Sequence, residues 1–200
     1  PLSRYPCAPS GAMLYPQIEI ALMRRLLLLR HARTESDAPS GNDWDRRLTA
    51  HGNADAADIG RWLAGQRALL PDLALVSTAV RARATWDIIE QAITAAAPHT
   101  RAVHLADLYS AELAQLLAII RAAATDDPKR LMLVGHNPGF HEIALGLIGG
   151  GDAAARNALD DNMPTSGLAV IDFAIDSWDG VAFRGGQLAQ FVRPKLLKNA

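Results

Sequence analysis

The chain has 200 residues, half hydrophobic and a fifth charged, which is enough for one substantial core and excludes wholesale disorder. Twenty Lys and Arg stand against 21 Asp and Glu, for a net charge of −1. A balance this even argues against a broad electrostatic grip on nucleic acid or an anionic membrane, while leaving room for a small basic pocket.

Residues 1–22 contain Pro1, Pro6, Pro9 and Pro16 and show no clean period. They read as an irregular arm, with residues 23–200 as a single domain. The prolines and Glu19 also make them a poor signal peptide. Met23, directly before the first strand, is a candidate start. Cys7 is the lone cysteine, so no internal disulfide or cysteine-based zinc site forms, and a cytoplasmic location is expected. The longest purely aliphatic run, Leu26 to Leu29, is far too short to cross a bilayer.

From residue 24 strands and helices alternate. Arg24 to Leu29 reads as a buried strand. Thr49 to Gln66 is Ala-rich and helical, and Leu73 to Ser77 is a second strand. Val80, Ala84, Ile88 and Ala92 step by four along a helix face. Arg101 to His104 is a weaker third strand. Leu113, Leu116, Leu117 and Ile120 form a helical stripe, with Ser110 placed to cap it. Leu131 to Gly135 is a fourth strand. A helix follows it through Phe140, Ala144, Leu147 and Ile148, with Pro138 in its first turn and Gly149 to Gly151 at its end. Leu168 to Ile175 is a fifth strand, and Val181 to Val192 holds another, broken at Gly185-Gly186. Continuous apolar strands alternating with helices imply an α/β fold: a three-layer α/β/α sandwich around a mostly parallel sheet.

Three strands deliver cations or imidazoles at their carboxyl ends: Arg30-His31 after the first, Arg81 and Arg83 after the second, His136-Asn137 after the fourth. In open α/β sheets ligands bind at that edge, and helix N-termini add partial positive charge there. Arg binds two phosphate oxygens at once through its planar fork, so the set reads as a phosphoryl site. A neutral imidazole near pH 7 is a competent nucleophile, which turns the expectation from binding to chemistry. No metal cluster is legible. His51, His99, His104 and His141 lack a comparable setting and read as surface or structural.

These residues carry a resemblance. Leu26 to Ala32, with Arg30-His31-Ala32 at its end, resembles the opening signature of the histidine phosphatase superfamily, the phosphoglycerate-mutase-like fold. Asp45-Arg46-Arg47-Leu48-Thr49-x-x-Gly52, Ser77 to Thr85, Val134 to Gly139, Thr165-Ser166-Gly167 and Phe191 to Pro194 continue the similarity in order and spacing. The chain looks most like the short SixA-type phosphohistidine phosphatases, which lack the insertions of the mutases.

The resemblance implies His31 as nucleophile, and Arg30, Arg46, Arg81 and His136 as phosphoryl ligands. It places a proton donor after the third strand, where Asp107 is the first choice and Glu112 the second. Arg83 reads as solvated, and Trp44 as a packing residue or a rim residue at the mouth. The implied activity is metal-independent and cofactor-free removal of phosphate from a protein phosphohistidine, with a histidine phosphotransfer protein as one partner. Two alternatives stay open: hydrolysis or mutase transfer on small phosphate esters, and a non-catalytic phosphoprotein-binding module. Nucleic acid and membrane are not expected partners, and the oligomeric state is left open.

Overall fold

The computed structural model describes residues 23–198. The arm read at 1–22 lies outside the described residues. Strand β1 (Met23–Arg30) sits near the middle of a seven-stranded sheet with β2 (Leu73–Ser77), β3 (Arg101–Leu105), β4 (Arg130–Gly135), β5 (Ile148–Gly151), β6 (Leu168–Ala174) and β7 (Gly186–Val192), in the order β3-β2-β4-β1-β6-β7-β5. β1 pairs in parallel with β4, β2 with β3 and β4, and β5 with β7; β6 runs antiparallel to both its neighbours.

The aliphatic run of β1 has a direct explanation. Successive strand side chains point to opposite faces, and both faces are covered. Leu26 and Leu28 enter one core with Leu116 and Ile120 of α3 (Leu113–Ala122) and Phe140, Ile143 and Leu147 of α4 (Gly139–Leu147). Leu27 and Leu29 enter the other with Ile59 and Leu63 of α1 (Ala50–Ala64) and Trp86 and Ile89 of α2 (Val80–Ile93). All four leucines are fully buried. At the start of β1, Arg25 makes a bidentate pair with its cross-strand partner Asp172, at 2.6 and 2.7 Å.

Three local expectations are corrected, and one helix is added. Ser110 does not cap α3: it takes a positive φ of 54°, and Glu112 stands at the cap position without a side-chain bond. Gly149 to Gly151 do more than end a helix, because they form the edge strand β5, paired to β7. The next helix, α5 (Ala153–Asp161), was not read from the sequence; Asp152 caps it through the N–H of Ala155 at 2.7 Å. The last strand begins at Gly186, preceded by the short turn Trp178–Gly180. A four-residue helix, α6 (Pro194–Leu197), closes the described chain. Among the described residues no helix is long and apolar enough to cross a membrane.

The loop after β1 is pinned against the start of α1. Thr49 caps that helix by accepting from Gly52 N–H at 3.0 Å, and its own N–H donates to the carbonyl of Arg33 at 3.0 Å. A Cβ on Gly52 would lie 2.0 Å from that same carbonyl oxygen. Gly52→Ala, ordinarily favourable inside a helix, should therefore destabilise the fold by about 2–3 kcal/mol through overpacking against backbone. Urea denaturation checks this; an unchanged midpoint would mean that the loop at Arg33 gives way freely.

Candidate active site

Register brings the two imidazoles together. Arg30 pairs with Gly135 across the parallel strands β1 and β4, so His31 and His136 leave adjacent strands at the same level. Neighbouring strands lie about 4.8 Å apart, and the two ring centroids are 5.0 Å apart, tilted by 52°. His31 N–H donates to the Gly135 carbonyl at 2.9 Å. The Thr165-Ser166-Gly167 turn locks the other side: Ser166, at φ 57°, donates its N–H to the carbonyls of Arg30 and His31, and Arg30 N–H donates to the Gly167 carbonyl.

Around them lies a cavity of about 440 Å³ lined by Arg30, His31, Arg33, Thr34, Asp43, Arg46, Arg81, Ser110, His136, Asn137 and Thr165. The fold thus converges His31, His136, Arg30, Arg46 and Arg81 on one cleft. A larger cleft of about 690 Å³ lies between the start of α1 and α6. It shares only Thr165 with the first and contains neither paired imidazole, so the chemistry belongs to the smaller one.

Each side chain is held by its surroundings. His31 Nδ1 lies 2.8 Å from the carbonyl of Ala32, which can only accept. Nδ1 therefore carries the hydrogen, and Nε2 presents a lone pair. Ala32 N–H donates in turn to Thr85 Oγ1 at 2.9 Å, and Thr85 donates to the Arg81 carbonyl at 2.7 Å, tying the end of β1 to the first turns of α2. His136 Nε2 is 2.8 Å from Ser77 Oγ, while its Nδ1 is buried with no partner among the described residues. Arg30 Nη1 and Asn137 Nδ2 both donate to the Met163 carbonyl, and Arg30 Nε is buried with no partner among the described residues.

Arg81 is almost wholly buried, yet its Nη2 reaches Asp43 Oδ2 at 2.9 Å and its Nη1 the Asp43 carbonyl at 2.7 Å. Arg46 Nη1 meets Asp43 Oδ1 at 2.9 Å, its Nε donates to the Glu35 carbonyl, and its Nη2 to Thr34. Tyr109 O–H donates to Asp43 Oδ2 at 2.9 Å, and its ring stands edge-on to His136 with the Arg81 guanidinium over it.

Asp107, the first choice as proton donor, is exposed and is not among the residues that line the cavity. The turn Ala106–Leu108 sends Leu108 into the core, so its neighbour Asp107 points to solvent. Glu112 is likewise exposed and outside the lining. Arg83 is exposed, and Trp44 packs on Tyr109 at 4.5 Å. Asp43, Tyr109, Ser77 and Thr85 had no signal as site residues. Ser77 and Thr85 lie within a segment marked by resemblance, but only their contacts reveal what they do.

The electrostatics follow from burial among cations. Loss of water, and after it the charges of Arg81, Arg30 and Arg46, brings His31 down to about 4 against the raising effect of its bond to Ala32. Burial, then His31 and Arg81, brings His136 down to about 3. Hydrogen bonds from Arg46, Tyr109 and Arg81 hold Asp43 at about 2. Both imidazoles are therefore neutral at pH 7. In the unfolded chain they take a proton near pH 6.5 while the folded chain refuses it. Stability is full above that value and falls as the pH drops toward 4. Urea unfolding at pH 7 and pH 5 checks this; equal stability would mean that the rings titrate as if in water.

The family model of the histidine phosphatase superfamily (branch 1) matches residues 26–130. An uncharacterized protein of Mycobacterium leprae is 33% identical over 177 residues, covering 84% of this chain and all of its own. A solved structure from Agrobacterium tumefaciens, provisionally named phosphohistidine phosphatase SixA, is 34% identical with a TM-score of 0.68, over 86% of this chain and 99% of its own. One from Nakamurella multipartitia, under the same provisional name, is 26% identical with a TM-score of 0.71, over 86% of this chain and 96% of its own. Sequence, relatives and sheet agree: the chain belongs to the histidine phosphatase superfamily.

Proposed function

We propose that this phosphatase removes phosphate from protein phosphohistidine through a phosphohistidine intermediate on His31. The observation that carries this reading is the lone pair of His31 Nε2, fixed by the Ala32 bond inside a ring of guanidinium groups. In the first step Nε2 attacks phosphorus. The new N–P bond forms as the bond from phosphorus to the substrate nitrogen breaks, and the electron pair leaves on that nitrogen, so that the substrate ring, protonated by solvent on its other nitrogen, departs as neutral imidazole. In the second step a water molecule adds to phosphorus, the bond to His31 breaks, and inorganic phosphate and a proton are released. Arg30 and Arg81 stabilise the equatorial oxygens in both steps, with Arg46 at the rim. Ser77 Oγ accepts from Ala79 N–H and gives its own hydrogen to His136 Nε2, which leaves His136 Nδ1–H as a further donor.

The substrate class rests on the acid inventory of the cleft. Asp43 is the single carboxylate among the described lining residues, and at about 2 it is ionised and gives no proton. An alkoxide leaving group needs such a proton; a phosphorylated imidazole that takes a proton from solvent on its other ring nitrogen near neutrality leaves as the neutral ring and needs no acid in the cleft. The provisional names of the Agrobacterium and Nakamurella relatives point the same way. The partner is then a phosphorylated protein, a histidine phosphotransfer domain being one example, in the cytoplasm.

Incubation with phosphoramidate followed by alkaline quench and mass spectrometry should find acid-labile phosphate on His31, and a phosphohistidine protein should turn over faster than a panel of phosphate monoesters. No label on His31 would overturn the mechanism; faster monoesters would overturn the substrate class and favour the small-ester reading.

A further inference from the structure

Asp43 presents an anomaly in this scheme. It is an acidic side chain inside a site built for an anion, and it takes up the donors such an anion would use. Its two oxygens and its backbone carbonyl accept from Arg81 Nη1 and Nη2, Arg46 Nη1 and Tyr109 O–H. The Arg81 side chain is 7% exposed, and Asp43 is its one carboxylate partner among the described residues. A buried guanidinium without a counter-ion is costly, so the empty site needs a resident negative charge. Asp43 itself is half exposed, on a single turn, Asp43–Asp45, that buries none of its side chains. It can therefore swing outward without disturbing the core.

We propose that Asp43 is the exchangeable counter-ion of the phosphoryl site: it holds Arg81 and Arg46 while the site is empty and yields these donors to the incoming phosphoryl group. The proposal rests on the phosphoryl-transfer reading of the same cleft and adds a specificity-determining residue to it. Two consequences follow from charge alone. A phosphoryl dianion carries twice the charge of the carboxylate it displaces and wins the exchange. A monoanion, such as a carboxylate or a phosphodiester, trades one single charge for another and gains little. Asp43 thus selects terminal phosphoryl groups and weakens the hold on the product, inorganic phosphate, which speeds its release.

The positions of the unpartnered donors agree with this exchange. Arg30 Nε, Arg81 Nε and His136 Nδ1 are buried with no partner among the described atoms, so part of the cradle stands open while Asp43 holds the remainder. A ligand can dock on the open donors first and displace the carboxylate second.

The test uses the full chain and inorganic phosphate as the probe. Asp43→Asn keeps the shape and one acceptor but removes the charge. Its phosphate affinity, measured by isothermal titration calorimetry, should tighten by about tenfold, and acetate and dimethyl phosphate should begin to compete. Added phosphate should also raise its melting temperature more than it raises that of the parent chain. Unchanged or weaker phosphate binding in Asp43→Asn would overturn the proposal, because it would make Asp43 a residue that merely orients Arg81. Phosphoramidate labelling of His31 in the same preparations separates the two readings. Labelling without tighter phosphate binding sinks the role of Asp43 alone, whereas tighter binding without labelling sinks the covalent mechanism and leaves the counter-ion.

Discussion

His31→Ala is expected to abolish turnover, by about 10⁵-fold or more, and to eliminate acid-labile phosphate from the protein. Nδ1 is committed to the Ala32 carbonyl, so Nε2 is the nitrogen available to the proposed attack, and a value near 4 keeps it unprotonated throughout the physiological range. The side chain's single hydrogen bond is to its neighbour's backbone, and the strand beneath it is held by its own pairings. The variant should therefore keep its melting temperature to within a few degrees. Activity within tenfold of the parent would place the nucleophile elsewhere, with His136 as the first candidate.

Arg81→Ala should cost about 2–4 kcal/mol of transition-state stabilisation, on the scale of losing one preorganised donor to a developing charge. Its guanidinium is buried, carried on the N-terminal turn of α2 and set over the Tyr109 ring, so little reorganisation is needed when charge develops. Arg81→Lys should recover only part of the loss, because an ammonium restores the charge without the planar fork. Steady-state kinetics on a phosphohistidine protein separates the outcomes. A rise in KM with unchanged kcat would mean that Arg81 only holds the ground state. Loss of Arg81 also removes one of the groups that hold the Asp43 carboxyl low, while the hydrogen bonds from Arg46 and Tyr109 continue to hold it below the usual range.

How far the site could be read in advance divides cleanly by the range of the interactions. His31 and His136 were legible because each follows an unmistakable apolar strand, and parallel pairing sets such ends side by side. Asp107 looked equally well placed after its strand, but a three-residue turn buried Leu108 and put the acid in water. Asp43 gave no signal at all. It lies in a polar loop rich in Asp, Asn and Ser, and its meeting with Arg81 spans 38 residues and depends on how that loop folds across the cleft. Ser77 and Thr85 likewise read as strand and helix residues until their partners His136 and Ala32 came into view.

By itself the sequence determined the strands, most of the helices, the family and the histidine–arginine set, since hydrophobic period and strand-end chemistry are local properties written residue by residue. Only the tertiary structure decided the antiparallel insertion of β6, the glycine edge strand, the exposure of Asp107 and the carboxylate resting in the anion site. These depend on which distant backbone or side chain comes within about 3 Å, the reach of a hydrogen bond, and no periodicity along the chain encodes that distance.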